Sequence, residues 1–266
     1  MSEVASEATF DAAAVRRAAA TICAGQAAAC EAAGIPDDSH RLARLVRSDF
    51  GSYRELAAAL RHECHPDLLP SIPRLCAAAL GDTGTARTLS GDQQLADPFF
   101  HHGDLVVEGD LDVEAPLVVT GSLTVRGLLA DCGPDSVVVV GGGVTARGVF
   151  TDGDMCVLGD IEAEVVHGYY NDHTLQARRI RARLVVEDEH ATIATVEAGL
   201  HFDLDDYQQG YGDGVQERLR ALLVDDVFTA DEDEEDGEEM FDHAALLARM
   251  RAGLPVFRAD TDPGPR

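Results

Sequence analysis

Between Asp104 and about Glu189 the chain repeats a nine-residue phrase. The full copies are Leu105-Val-Val-Glu-Gly-Asp-Leu-Asp-Val113, Leu117-Val-Val-Thr-Gly-Ser-Leu-Thr-Val125, Val138-Val-Val-Gly-Gly-Gly-Val-Thr-Ala146 and Met155-Cys-Val-Leu-Gly-Asp-Ile-Glu-Ala163. A fifth, Leu175-Gln-Ala-Arg-Arg-Ile-Arg-Ala182, is one residue shorter at its turn. Apolar residues stand at positions one, three, seven and nine, with glycine at five, which is strand alternation interrupted by a tight corner. The copies start 12, 21, 17 and 20 residues apart. Repeats on this scale stack into a solenoid, because one unit cannot bury its own apolar face. The expectation is a parallel β-helix with Leu105, Leu117, Val138 and Met155 in a single file on successive turns.

Aligning the copies predicts further files. The position after the phrase collects Glu114, Arg126, Arg147, Glu164 and Arg183, a mixed-charge ladder expected to face solvent. The glycine file, Gly109, Gly121, Gly142 and Gly159, marks corners that need positive φ or close backbone approach. Two adjacent files follow, Leu128, Val149, Val166, Val185 and Leu129, Phe150, His167, Val186. Strand neighbours face opposite ways, so one of these is an outer apolar stripe that needs cover. Strict alternation from Val125 places the second file inside, unless a corner reverses it.

The flanks read as helical. Phe10 to Ala33 is alanine-rich and stops at Gly34-Ile-Pro36. Ser39 is placed to cap a second helix, and Ser52 a third, Tyr53 to Glu63, with Glu55 at capping-box spacing. Pro66 to Leu80 is a fourth, and Gly81 to Pro98 reads as a connector. After the repeat, Val215 to Val224 and Phe241 to Ala252 have helical patterning, and Leu254 to Arg258 reads as a short strand or an anchoring tail. Between those helices eight of the nine residues from Asp231 to Glu239 are acidic. The final coil carries Arg178, Arg179, Arg181 and Arg183, which are expected to receive that acidic block. The organisation is thus α+β: a parallel β-helix of about five coils over 99–200, a helical region over 1–98, and an acidic helical region over 201–266.

Bulk properties narrow the function. The net charge is −27, and residues 201–240 hold 15 acids against two arginines. Phosphate binding needs a basic face, so nucleic acid is not an expected ligand. The charge instead favours a basic protein partner. No apolar run is long enough to span a membrane, and the acidic start lacks the basic residues of a secretory signal. A cytoplasmic protein is expected. The six cysteines, Cys23, Cys30, Cys64, Cys76, Cys132 and Cys156, lack the spacing of a disulfide framework.

The densest polar cluster is His167-Gly-Tyr-Tyr-Asn-Asp-His173. Its side chains, His167, Tyr169, Tyr170, Asn171, Asp172 and His173, are the candidate binding residues, in a loop between the fourth and fifth coils. The same types could do acid–base work or bind a metal, but Gly168, Asn171 and Asp172 are also ordinary turn formers. His62-Glu-Cys64-His65 lacks the spaced pairs of a structural zinc site. Phosphate loop, nucleophile elbow and His-Glu-x-x-His motifs are missing. No catalytic residue, metal site or cofactor is assigned, and the expectation is a protein that is not an enzyme.

The phrase Val-x-Gly-Asp-Leu-x-Val at 107–113, echoed at 157–163, resembles the bactofilins, bacterial polymer-forming cytoskeletal proteins. That resemblance covers about a third of the chain. It implies a β-helix whose ends join into filaments without nucleotide. Here, unlike the short tails of that family, helical regions flank the repeat. Two functions follow: a scaffold that self-associates through its coil ends, or an acidic binding module, such as an immunity-type neutraliser of a basic toxin or enzyme.

Overall fold

The computed structural model describes residues 8–47, 50–63, 65–81, 84–132, 136–169, 173–203, 214–230 and 239–259. Four helices come first: α1 (Ala12–Ala33), α2 (His40–Leu45), α3 (Tyr53–Glu63) and α4 (Ile72–Leu80). The Asp11 carboxylate caps α1 by accepting the Ala13 N–H at 2.9 Å, and Gly34 ends it with φ 67°. At α3 the Glu55 N–H donates to Ser52 Oγ as the capping-box spacing expects, while Glu55 Oε2 accepts the N–H of Gly51, one residue before the cap. Ser39 precedes α2 but makes no side-chain capping bond.

A parallel β-solenoid of about six turns follows. Its strands are β1 (Arg87–Leu89), β2 (Gln93–Leu95), β3 (Phe99–His101), β4 (Leu105–Val107), β5 (Leu111–Val113), β6 (Leu117–Val119), β7 (Leu123–Asp131), β8 (Val137–Val140), β9 (Val144–Thr151), β10 (Asp154–Glu162), β11 (Val165–Tyr169), β12 (Thr174–Asp188) and β13 (Ala191–Asp203). Beyond it lie α5 (Val215–Leu222), an antiparallel pair of β14 (Phe228–Thr229) and β15 (Met240–Phe241), and α6 (His243–Arg251).

In the early coils the unit is six residues, three of strand and three of corner, and three units close a turn. Leu105 pairs above Arg87 and Leu123 above Leu105, each 18 residues on. The tube therefore has three faces. The first stacks Leu105, Leu123, Val144, Ile161 and Ile180 inward, the second Leu111, Leu129, Val149, Val166 and Val185, and the third Phe99, Leu117, Val138, Met155 and Leu175. These inward residues form one apolar core.

That geometry corrects four sequence readings. Leu117, Val138 and Met155 share a file, but Leu105 lies on another face, because its copy of the phrase begins one face early. The same slip affects the charge ladder. Arg147, Glu164 and Arg183 occupy successive turns, and Arg126 meets Glu108, not Glu114, at 4.0 Å. Phe150, His167 and Val186 point outward, since the corner after Ala146 is one residue shorter than the corner after Val125. Strands also begin at Arg87, within the stretch read as a connector, because three-residue strands with polar members show no long alternation. This adds the sixth turn to the expected five.

The Gly-Asp corners have a direct cause. Asp92, Asp104 and Asp110 each accept a backbone N–H from the next turn, those of Asp110, Ser122 and Leu128, at 2.7–2.9 Å. A Cβ on Gly109, Gly121 or Gly127 would lie 2.4 Å or less from the same carboxylates. Close approach, not positive φ, requires glycine there.

Two faces carry helical covers. On the third face Phe100, Val118, Val139 and Cys156 point outward beneath the N-terminal helices. On the second, the outward residues Leu128, Ala130, Phe150, Val165, Leu184, Val186 and Phe202 lie beneath α5, α6 and the segment ending at Phe257. The first face turns Thr124, Thr145, Glu162 and Arg181 to solvent.

Candidate functional site: the histidine seam and the last coil

His167 belongs to β11, not to a loop, and is 1% exposed in the seam between the second face and the C-terminal unit. Its ring meets Phe150 (centroids 5.6 Å apart), Tyr169 (5.9 Å), His243 at the start of α6 (5.9 Å) and Phe241 (6.3 Å). Neither ring nitrogen has a hydrogen-bond partner among the described residues. Burial, then the neighbouring His243 and His190, push its pKa down to about 3, so the ring is neutral at physiological pH. Tyr169 is half-buried and packs at a tilt against His243, with ring centroids 4.4 Å apart. His173 Nδ1 bonds the Asp152 carbonyl oxygen at 3.0 Å. Tyr170, Asn171 and Asp172 lie outside the described residues.

Gly168 is a strand residue, and a Cβ on it would come within 2.8 Å of His190 Nδ1. The His190 ring lies against this glycine, and its Nε2 bonds the Gly153 carbonyl oxygen at 3.1 Å. On the same corner Asp131 is fully buried. Its Oδ1 accepts the Asp152 and Gly153 N–H groups at 2.9 and 3.3 Å, while Oδ2 has no partner among the described residues. Burial outweighs these bonds and pushes the Asp131 carboxyl up to about 7.

The two ends of the tube differ. In the first coil Leu89, Leu95 and Phe99 are buried, and Arg87 occupies an inward position with its guanidinium 5.6 Å from the Phe99 ring. In the last coil Ala194, Val196 and Ala198 are only half-buried, and Ile193 is 60% exposed. Thr192 and His201 stand above the inward Leu175 and Val185, and Glu187 accepts the Thr192 N–H at 3.1 Å and bonds His201. Beyond β13 no further strand pairs with it among the described residues. The arginines expected on the final coil lie on β12, one turn before it, and are engaged locally: Arg178 with Asp160, Arg179 with Glu197, Arg181 with Asp160, Glu162 and Glu197. Arg183 lies 3.8 Å from the Phe257 ring. The acidic block expected there falls outside the described residues except Glu239, which pairs with Arg220.

Sequence reasoning missed Asp131, His190, His243 and Arg87. Only Arg87 carried a readable signal, a charge at the inward position of the six-residue unit. The described residues contain no cluster of three or more metal-ligating side chains and no helix long and apolar enough to cross a membrane. No protein-family model matches the chain, and no curated protein and no solved structure matches it significantly.

Proposed function

We propose that this chain is a non-enzymatic structural scaffold that pairs with a second copy through its last coil. The difference between the two ends carries the reading. An edge strand of 13 residues with partly exposed apolar neighbours is a template for strand addition. At the opposite end, stacking another coil would bury the Arg87 charge, a device that blocks edge-to-edge growth. A two-fold contact of β13 with itself is antiparallel, uses the open end once and closes. The scaffold role implied by the resemblance to bactofilins is kept, but filament growth is replaced by end-limited pairing.

The charge of −27 supports a second reading, in which a basic protein partner occupies that same edge. Sedimentation velocity over a concentration series separates the outcomes. The pairing reading expects mass to rise to two copies and stop. Continued growth would restore the filament, and a monomer at all concentrations would leave the basic-partner reading.

A further inference from the structure

We infer that His167 is an acid-operated latch that holds the C-terminal unit on the second face of the solenoid. Three observations meet at this residue. It is buried with both nitrogens unbonded, so its neutral ring is accepted only as an apolar filler among Phe150, Tyr169 and Phe241. Among the described residues, the titratable groups facing it from the elements packed on it are His243 of α6, His190 from the β12–β13 corner and Tyr169 of its own strand, none of which supplies a negative charge at neutral pH. His243 also opens α6, whose N-terminus carries partial positive charge, with the Asp242 carboxylate already accepting the Ala244 and Ala245 N–H groups.

A proton on His167 therefore has no acceptor among the described residues while α6 is docked. Undocking returns the ring to water, where it protonates at its ordinary value. Acid consequently favours the open form, and what opens is the seam between α6 and the outward residues Phe150, Val165 and Val186. Among the described residues the N-terminal helices hold no buried histidine, and their buried Tyr53 hydroxyl donates to the Pro116 carbonyl oxygen at 2.7 Å. The latch does not depend on whether the last coil pairs.

The size of the effect follows from linkage. With an ordinary histidine value near 6.5 in the open form and no protonation in the closed one, the opening constant rises about 25-fold between pH 7 and pH 5. Hydrogen exchange of the full chain, corrected for the intrinsic pH dependence of amide exchange, reads this constant segment by segment. The expected result is a rise of about 25-fold for Leu246–Met250, no comparable rise for α3 and α4, and loss of the rise in His167→Leu. His167→Phe keeps a ring in the seam and must lose the rise as well, which covers a failure of the leucine variant to fold. An equal rise in either variant, no rise in the wild type, or an equal rise in α3 and α4 would overturn the latch.

Discussion

The N-terminal and C-terminal covers solve the same problem with different chemistry. Both shield an outward apolar file of the solenoid. The N-terminal seam is aromatic: Phe100 packs edge-on to Phe10 at 5.8 Å and against Tyr53 at 5.2 Å, and the buried Tyr53 hydroxyl is bonded. The C-terminal seam is also aromatic but encloses an unbonded histidine. It is held at its margin by polar clamps, Arg147 to the Met250 and Leu254 carbonyl oxygens and Arg251 to Asp112. A methionine side chain, Met250, reaches so close to Gly148 that a Cβ there would lie 2.0 Å from its terminal methyl. Burial of apolar area stabilises both covers, but only the second couples docking to protonation. Stability on one face is thus indifferent to mild acid, and on the other it is conditional.

Four measurements break or sharpen this contrast. The largest effect is expected from Phe100→Ala, which opens a cavity under the N-terminal helices and costs about 3–5 kcal/mol in denaturant unfolding at any pH from 5 to 8. A loss that varied with pH would remove the contrast.

The second concerns opposing pH slopes. Folded His167 refuses a proton until about pH 3, whereas the unfolded chain binds one near 6.5, so its contribution to stability is lost as pH falls below 6.5. Folded Asp131 keeps its proton up to about 7, whereas the unfolded chain loses it near 3.8, so its contribution is lost as pH rises through that window. Each slope is about 1.4 kcal/mol per pH unit, and they oppose one another where the windows overlap. Relative to the wild type, His167→Leu should gain stability as pH drops below 6.5, and Asp131→Asn should gain it as pH rises from about 4 to 7. Urea midpoints across this range check both, and parallel shifts of one curve would contradict the assignment.

A smaller effect is expected from Tyr53→Phe, which removes one of the two hydrogen bonds that the Pro116 carbonyl accepts, the Phe99 N–H keeping the other, and costs about 1 kcal/mol without a pH slope. Smallest is Arg251→Gln at the rim of the C-terminal cover. That partly exposed pair is worth at most about 1 kcal/mol and its loss should vanish in high salt. A large, salt-independent loss would make the clamp, not the seam, the main attachment.

The repeat was legible because its corners impose glycine and aspartate through contacts between turns, and such contacts leave a pattern in one sequence. Its period was harder to read. The hexads are regular from Arg87 to Leu128, but later coils change corner length, and the nine-residue phrase joins one hexad to half of the next. Aligning by that phrase moved Leu105 to the wrong face and Glu114 into the wrong ladder. The helices were legible from local signals, as Ser52 and Gly34 act on their own neighbours. The histidine seam was not. Whether His167 faces core, solvent or another segment depends on a cover about 75 residues further along the chain, and alternation carries no information about that. Asp131 was hidden for a similar reason: in sequence it is one more polar residue at a strand end.

The central claim is that the molecule has one closed end and one open, self-pairing end. Backbone hydrogen exchange measured at low and high protein concentration addresses both ends in a single experiment. The account predicts that protection of Ala191–Asp203 grows with concentration while Arg87–His101 stays unchanged. Protection growing at both ends together, or at neither, would contradict it.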